Sequence, residues 1–240
     1  SGQSRLMRAG SYEIAPGTTP ERLLRMLVRG EESLRTVTVV EGWNWRQVRQ
    51  ALAKAENLKP DSRALTDEAL MAQLGRPGVA PEGRFYPDTY SYAKGTSDLA
   101  VLQRAMKAMD KHLQQAWESR QPGTALQTPE QALILASIVE KETGKAQDRG
   151  QISGVFNNRL RIGMRLQTDP TVIYGLGEAF DGNLRRVHLT TDNPWNTYTR
   201  AGLPPTPIAM PGKASLLAAV QPAKTSASYF VAKGDGSSHF

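Results

Sequence analysis

Two glutamates, Glu140 and Glu142, close an apolar run that reads TPEQALILASIVEKETG over residues 128–144. The chemistry such a pair offers is proton transfer. A carboxylic acid held against apolar walls has its pKa raised and can hand a proton to a leaving oxygen, which is the general-acid half of glycoside cleavage. Other routes find no residues. The chain has no cysteine, so disulfides, thiol nucleophiles and Cys-ligated metals are excluded. His112, His188 and His239 stand in no metal-ligand spacing, so no metal site is expected. No GxSxG, P-loop or GxGxxG-plus-acid pattern occurs, which removes the usual hydrolase and nucleotide readings and leaves no expected cofactor.

The run itself predicts a helix packed on all sides. Thr128 is a natural N-cap, Pro129 suits the first helical position, and Gln131 completes a capping-box pattern. Leu133, Ile134, Leu135, Ala136, Ile138 and Val139 then place apolar groups all round the wheel. Carboxylates at the end of such a helix are costly unless they are paired, protonated or facing a cleft. Glu140 and Glu142 point about 200° apart, so only one can face a cleft. Either both are helix-end carboxylates paired with Lys141, Lys145 or Arg149, or one serves a site. Gln167, Thr168, Asp169, Tyr174, Asn193, Asn196 and Tyr198 favour a site, because they form two polar, aromatic-bearing stretches able to hydrogen-bond sugar hydroxyls. Asp169 either stabilises positive charge at a sugar ring or only shapes its turn.

The elements that must position these groups are legible in outline. From residue 10 the chain parses as strand, turn, helix and strand. Thr19 caps the helix, Pro20 begins it, Leu23, Leu24, Leu27 and Val28 form its apolar stripe, and Gly30 ends it. Residues 36–40 are a β-branched strand, 43–55 an amphipathic helix with Trp45, Val48 and Leu52 on one stripe, and 66–74 a shorter helix. Together they make a small α+β unit over residues 36–83. Residues 76–95, dense in Pro, Gly and Tyr, read as a connection, with the domain boundary inside it. There Phe85, Tyr86, Tyr90 and Tyr92 either stack on sugars or pack against the next domain, and packing is the commoner reason.

Beyond it, residues 84–240 read as a larger, helix-rich domain. It has a long helix over 98–119, the central helix, and a further helix up to Gly163 with a capping box at Asp148 and Gln151. A turn follows at Asp169-Pro170, then a proline-rich irregular loop over 192–211 of the kind that is usually functional. A short helix over 215–220 and a strand over 228–232 lead to a closing hairpin whose return strand reads as cut off. Residues 1–35 are expected to pack with this domain, giving an α+β chain of two subdomains with a small sheet.

At 240 residues, 39% hydrophobic and 22% charged, the composition is that of a globular protein. The net charge of +7 favours a polyanionic partner: nucleic acid, anionic lipid or an acidic polymer such as cell-wall glycan. The basic residues form no block and no nucleic-acid module accompanies them, so nucleic acid is not the expected partner. No run approaches a membrane span and no signal peptide opens the chain. Ser1-Gly2 reads as an expression scar, and the chain as a soluble part of a longer protein.

Longer motifs carry a resemblance. IVEKETG, VFNNRLRIGMRLQTDPTVIYGLG, NPWNTYTRAGLPPTPIAMPG and YFVA followed by HF, with PGTTPERLLRMLVRG, VVEGW and FYPDTY before them, are similar to the endolytic murein transglycosylase family (MltG, YceG-like) of bacteria. The resemblance implies a single-pass inner-membrane protein, anchored by an N-terminal helix absent here, whose periplasmic part joins a LysM-like subdomain to a catalytic domain. It implies cleavage within peptidoglycan glycan strands at the MurNAc–GlcNAc bond, without water, leaving 1,6-anhydroMurNAc ends. Peptidoglycan synthases are the expected neighbours, and termination of nascent strand elongation the expected consequence. The family's catalytic glutamate falls on Glu140, with Glu142 as second choice, and the two polar stretches become substrate-binding. The family also continues past the HF strand with an Asn-bearing segment, so the C-terminal end here reads as truncated. The alternatives are a non-catalytic peptidoglycan-binding scaffold module resting on the unit around Trp43 and Trp45, and a hydrolase that admits water.

Overall fold

Ten residues that begin with a proline after a threonine start the regular structure. In the computed structural model, which describes residues 6–30, 33–233 and 238–240, α1 (Pro20–Arg29) is capped by Thr19 and ended by Gly30 in the left-handed conformation. None of α1's residues is buried: Leu23, Leu24, Leu27 and Val28 are half-covered. The stretch before it, expected as a strand, has no ladder partner among the described residues.

β1 (Leu34–Thr38) pairs antiparallel with β2 (Thr89–Ala93), setting Val37 opposite Tyr90. Between them run α2 (Trp45–Lys54), opened by a reciprocal Asn44/Gln47 capping box, and α3 (Asp67–Gln73), capped by Thr66. α4 (Asp98–Glu118) follows. β2 corrects the reading of residues 76–95 as connection: alternating Tyr90 and Tyr92 point inward and supply the second strand that β1 needs. The small unit's core holds Val37, Trp45, Val48, Leu70, Met71 and Phe85, and it continues into Val101, Leu102 and Met106 of α4. The boundary expected near residue 83 is therefore crossed by a single apolar cluster. Phe85, Tyr90 and Tyr92 are buried in it, and Tyr86 stacks on His112 at 3.9 Å, so packing accounts for all four.

α5 (Pro129–Glu142) is the axis of the second core, with every residue from Ala132 to Val139 buried. α4, α6 (Ala146–Arg161), α7 (Asp169–Leu176) and α9 (Lys213–Val220) surround it. Thr128 caps α5 through the Gln131 amide, but the Gln131 side chain accepts from Gln127 rather than closing the box on Thr128. α6 begins at Ala146, so Asp148 lies within its first turn and accepts from the Ser238 amide instead of capping. The Asp169-Pro170 turn is the first turn of α7, where proline's fixed φ is compatible with a helix start. α8 (Arg186–Thr190) adds a short turn of helix within an otherwise irregular segment. β3 (Val231–Ala232) pairs with β4 (Ser238–His239), so the closing hairpin has its return strand. No helix among the described residues is long and apolar enough to cross a membrane.

The two cores are joined by the proline-rich residues 204–212. The Met210 amide donates to Trp43 O (2.7 Å) and the Gly42 amide to Met210 O (2.9 Å), while the Ile208 amide reaches Ser137 Oγ on α5 (3.0 Å). Met210 itself is buried in the small unit's cluster and Ile208 in the α5 cluster. At the same seam both oxygens of Glu82, 4% exposed, accept from the Trp45 amide at the start of α2 (3.0 and 3.1 Å), a favoured place for a carboxylate. Burial nevertheless pushes the Glu82 pKa up to about 7, against the pull of the Trp45 amide. Gly83 beside it has φ +78, and a Cβ there would lie 2.5 Å from Pro207 Cβ.

Two outcomes are expected. Gly83→Ala should lose about 2 kcal/mol or more of unfolding free energy in urea, from left-handed strain plus the clash with Pro207. Glu82 binds its proton near pH 7 when folded and near 4.5 when unfolded, so its contribution to stability is largest in acid and falls as pH rises through this window. The fall is up to roughly 3 kcal/mol. Unfolding free energies from pH 4 to 8 should therefore show this slope in the parent and lack it in Glu82→Gln; parallel curves would refute the assignment.

Candidate active site

The last turn of α5 sends its two glutamates to different environments. Glu140 is partly exposed, and its Oε2 accepts the Gly212 amide at 2.9 Å. Gly212 is the residue before α9, so this amide is one of the unpaired donors of a helix N-terminus, a natural seat for an anion. Among the described residues the Glu140 carboxylate has no ion pair; Lys141 Nζ is turned to Gly42 O (3.3 Å) instead. Glu142 points the other way and accepts a short hydrogen bond from Thr168 Oγ1. Burial pushes its pKa up, the Thr168 hydrogen bond opposing and the Asp169 charge adding. The burial expected to raise the acid's pKa thus falls on Glu142, while Glu140, partly exposed, is held by the Gly212 amide.

A cleft of about 720 Å³ opens beside Glu140, between the two units. Asn44, Trp45 and Arg46 at the start of α2 form one wall, and Pro170, Ile173 and Tyr174 of α7 the other. Glu82 and Trp195 lie between them. Glu140 is not part of the lining, but Gly42 and Lys141 are, and a Cβ at Gly42 would lie 3.9 Å from Glu140 Cγ. The carboxylate therefore stands at the cleft's edge. Arg46 of α2 meets Glu178, which follows α7, at 2.5 Å, linking the two walls. Tyr174 packs edge-on against Trp195 with centroids 5.6 Å apart, and the Trp195 Nε1–H is held by Thr206 Oγ1 (2.9 Å). Burial, then the charge of Glu82 and a hydrogen bond to it, pushes the Tyr174 pKa up, so the neutral hydroxyl is held by Glu82.

The residues expected to bind substrate divide by what their polar atoms already do. Tyr174 lines the cleft. Asp169 is exposed and accepts the Tyr198 hydroxyl at 2.5 Å, next to Pro170 of the wall. Gln167 is exposed, with its amide on Thr197 O and a left-handed φ of 49. Thr168 and Asn196 are enclosed. The Thr168 amide donates to Thr197 Oγ1 (3.0 Å), and Asn196 Nδ2 donates to Thr191 O (2.7 Å) while its Oδ1 takes the Tyr198 amide (2.9 Å). Asn193 Oδ1 accepts the Trp195 amide (2.9 Å) and lies against Gly175, where a Cβ would be 2.5 Å away. Thr168, Asn193 and Asn196 therefore shape the loops, and a ligand in the cleft meets what they position.

Two carboxylates at this junction went unmarked in the sequence. Glu82 is one, at the cleft floor. Glu41 is the other: a Cβ on Gly212 would fall 1.8 Å from Glu41 Oε1, so that carboxylate covers the glycine whose amide holds Glu140. Both residues precede a glycine, but Glu–Gly pairs are too common to carry a signal. Their meeting with α5 and α9 depends on pairing between segments far apart in the chain.

The sequence model of the YceG-like family matches residues 1–240. The chain is 32% identical over 246 residues to a protein of Bacillus subtilis (strain 168) named endolytic murein transglycosylase, covering 95% of this chain and 68% of that one. It is 28% identical over 261 residues to a protein of the same name from Streptococcus pneumoniae serotype 2 (strain D39), covering 94% of this chain and 46% of that protein. The chain thus spans about two thirds of the first relative and under half of the second. A 2.6 Å crystal structure of a yceG-like protein from Listeria monocytogenes superposes with a TM-score of 0.67 at 28% identity, over 95% of this chain and 81% of the other. With the family matching end to end and the fold shared, the chain belongs to the YceG-like family.

Proposed function

We propose that this protein is an endolytic lytic transglycosylase of peptidoglycan, with Glu140 as its acid and base. The observation that carries the reading is the position of Glu140. It is partly open, held by one backbone amide, free of ion pairs among the described residues, and set at the edge of a cleft with aromatic and hydrogen-bonding walls. The names of the relatives from Bacillus and Streptococcus support the substrate.

In this mechanism the Glu140 carboxylic acid gives its proton to GlcNAc O4, the oxygen bonded to MurNAc C1, and the C1–O4 bond breaks with its electron pair on O4. The carboxylate left behind takes the proton of the muramoyl 6-hydroxyl as O6 bonds to C1. One new chain end is 1,6-anhydroMurNAc, the other a strand-terminal GlcNAc with a free 4-hydroxyl, and no water is consumed. The Gly212 amide suits this cycle because it holds Glu140 Oε2 in one place at the edge of the cleft. Tyr174 and Trp195 offer aromatic faces on which pyranose rings in the cleft can stack.

The wider reading rests on the family resemblance. The small unit around β1 and α2 serves as a LysM-like glycan-holding module, and the intact protein is anchored in the inner membrane with this part in the periplasm. Its cuts end the growth of nascent strands beside peptidoglycan synthases.

Digestion of purified sacculi followed by mass spectrometry tests the core of this. The expected products are anhydro-muropeptides, each one water lighter than a hydrolysis product. Glu140→Gln, nearly isosteric, should lower their release at least about a thousandfold while its melting temperature stays close to the parent's. Undiminished product from Glu140→Gln would refute the assignment. Retention of the protein on sacculi with unchanged glycan length would favour the binding-module reading.

A further inference from the structure

The geometry points to Glu41 as a second catalytic carboxylate of this site, facing the anomeric carbon that Glu140 unlocks. The inference rests on the lytic reading above and deepens it. Proton donation by Glu140 leaves positive charge on C1 and the ring oxygen until O6 closes, and a carboxylate a few ångströms away stabilises that charge without forming a bond.

Glu41 is placed there by backbone. The Gly42 amide on Met210 O and the Met210 amide on Trp43 O hold residues 42–43 against the segment that leads into α9. The Glu41 side chain then lies over Gly212, in the volume a Cβ would take, with Oε1 only 1.8 Å from that Cβ position. Only glycine leaves this room. The same residue's amide holds Glu140 Oε2 at 2.9 Å. The fixed span of one residue's N, Cα and Cβ then puts the two carboxylates at most about 7 Å apart. Paired carboxyl groups that flank a sugar's anomeric carbon are separated by about 5 to 9.5 Å.

A structural duty for Glu41 is hard to find. It is exposed, and among the described residues it makes no hydrogen bond or ion pair. Lys141, the nearby cation on α5, is turned to Gly42 O. The charge is nonetheless felt locally: after burial, Glu41 is the next cause that pushes up the pKa of Tyr86, whose hydroxyl meets the Lys213 backbone at the start of α9. Glu41 and Glu140 thus approach the first residues of α9 from different units, and the site is complete only when the two are docked.

The test uses the intact protein on purified sacculi, following anhydro-muropeptide release. Glu41→Gln should lower kcat about a hundredfold or more with KM changed less than about threefold. Its melting temperature should match the parent's. Glu41→Asp, which keeps the charge, should regain at least about tenfold of that loss. Gly212→Ala, whose methyl takes the place of the Glu41 carboxylate, should lower kcat comparably, and adding it to Glu41→Gln should cost little more. If Glu41→Gln stays within about threefold of the parent while Glu140→Gln is dead, Glu41 has no catalytic role and the lytic reading stands. If Glu140→Gln is itself active, both fall. Equal losses in the Gln and Asp variants together with a lowered melting temperature would mark a structural role and overturn the proposal.

Discussion

The backbone pairing of Met210 with Gly42 and Trp43 is the constraint on which the rest depends. Proline-rich segments cannot form helices and are poor strand partners, yet prolines at 204, 205, 207 and 211 make this one stiff, with little entropy to lose on docking. Three of the five amides that remain, on Ile208, Met210 and Gly212, reach acceptors in other segments: Ser137 of α5, Trp43 of the small unit, and Glu140. A single extended segment therefore fixes the register between two cores and, in its last hydrogen bond, aims the proposed acid.

α5 makes that aim rigid. Its eight consecutive buried residues leave no freedom to rotate, because any turn of the helix would drive Glu142 out of its pocket with Thr168 and Glu140 away from Gly212. The neighbouring Ser137 is buried without cost because its hydroxyl both donates, to Ile134 O, and accepts, from Ile208. Proton chemistry at the helix end is thus supported by packing along the whole helix.

Four carboxyl groups meet this junction, and their environments separate them. Glu82 is sealed beneath the start of α2 and Glu142 is closed in against α7; burial raises the pKa of both. Glu140 and Glu41 remain accessible on either side of Gly212. Two groups hold structure and two face the place where a substrate can reach them. The cleft itself lies between units, its walls tied by Arg46 and Glu178, both largely exposed, so that link is screened and adds little to stability.

What the chain's own residues determined was local. Thr128-Pro129 starts α5, the apolar run buries it, and the two-residue spacing sends Glu140 and Glu142 to opposite sides; caps and periodicity operate within a few residues and can be read directly. The same holds for α2, α4 and α9. β2 escaped because its partner β1 lies some fifty positions earlier, and a tyrosine-rich stretch beside prolines looks like a loop until a strand pairs with it. Asp169-Pro170 reads as a turn in sequence because turns and helix starts share the Asp-Pro pair, and here it opens α7. Which polar residues face the cleft, and which are consumed in holding loops, as Thr168 and Asn196 are, depended on partners brought in by the tertiary fold. The approach of Glu41 and Glu82 to the site was decided there as well: carboxylates carry no periodic mark, and only the docking of the proline-rich segment between two cores sets how near they come to Glu140.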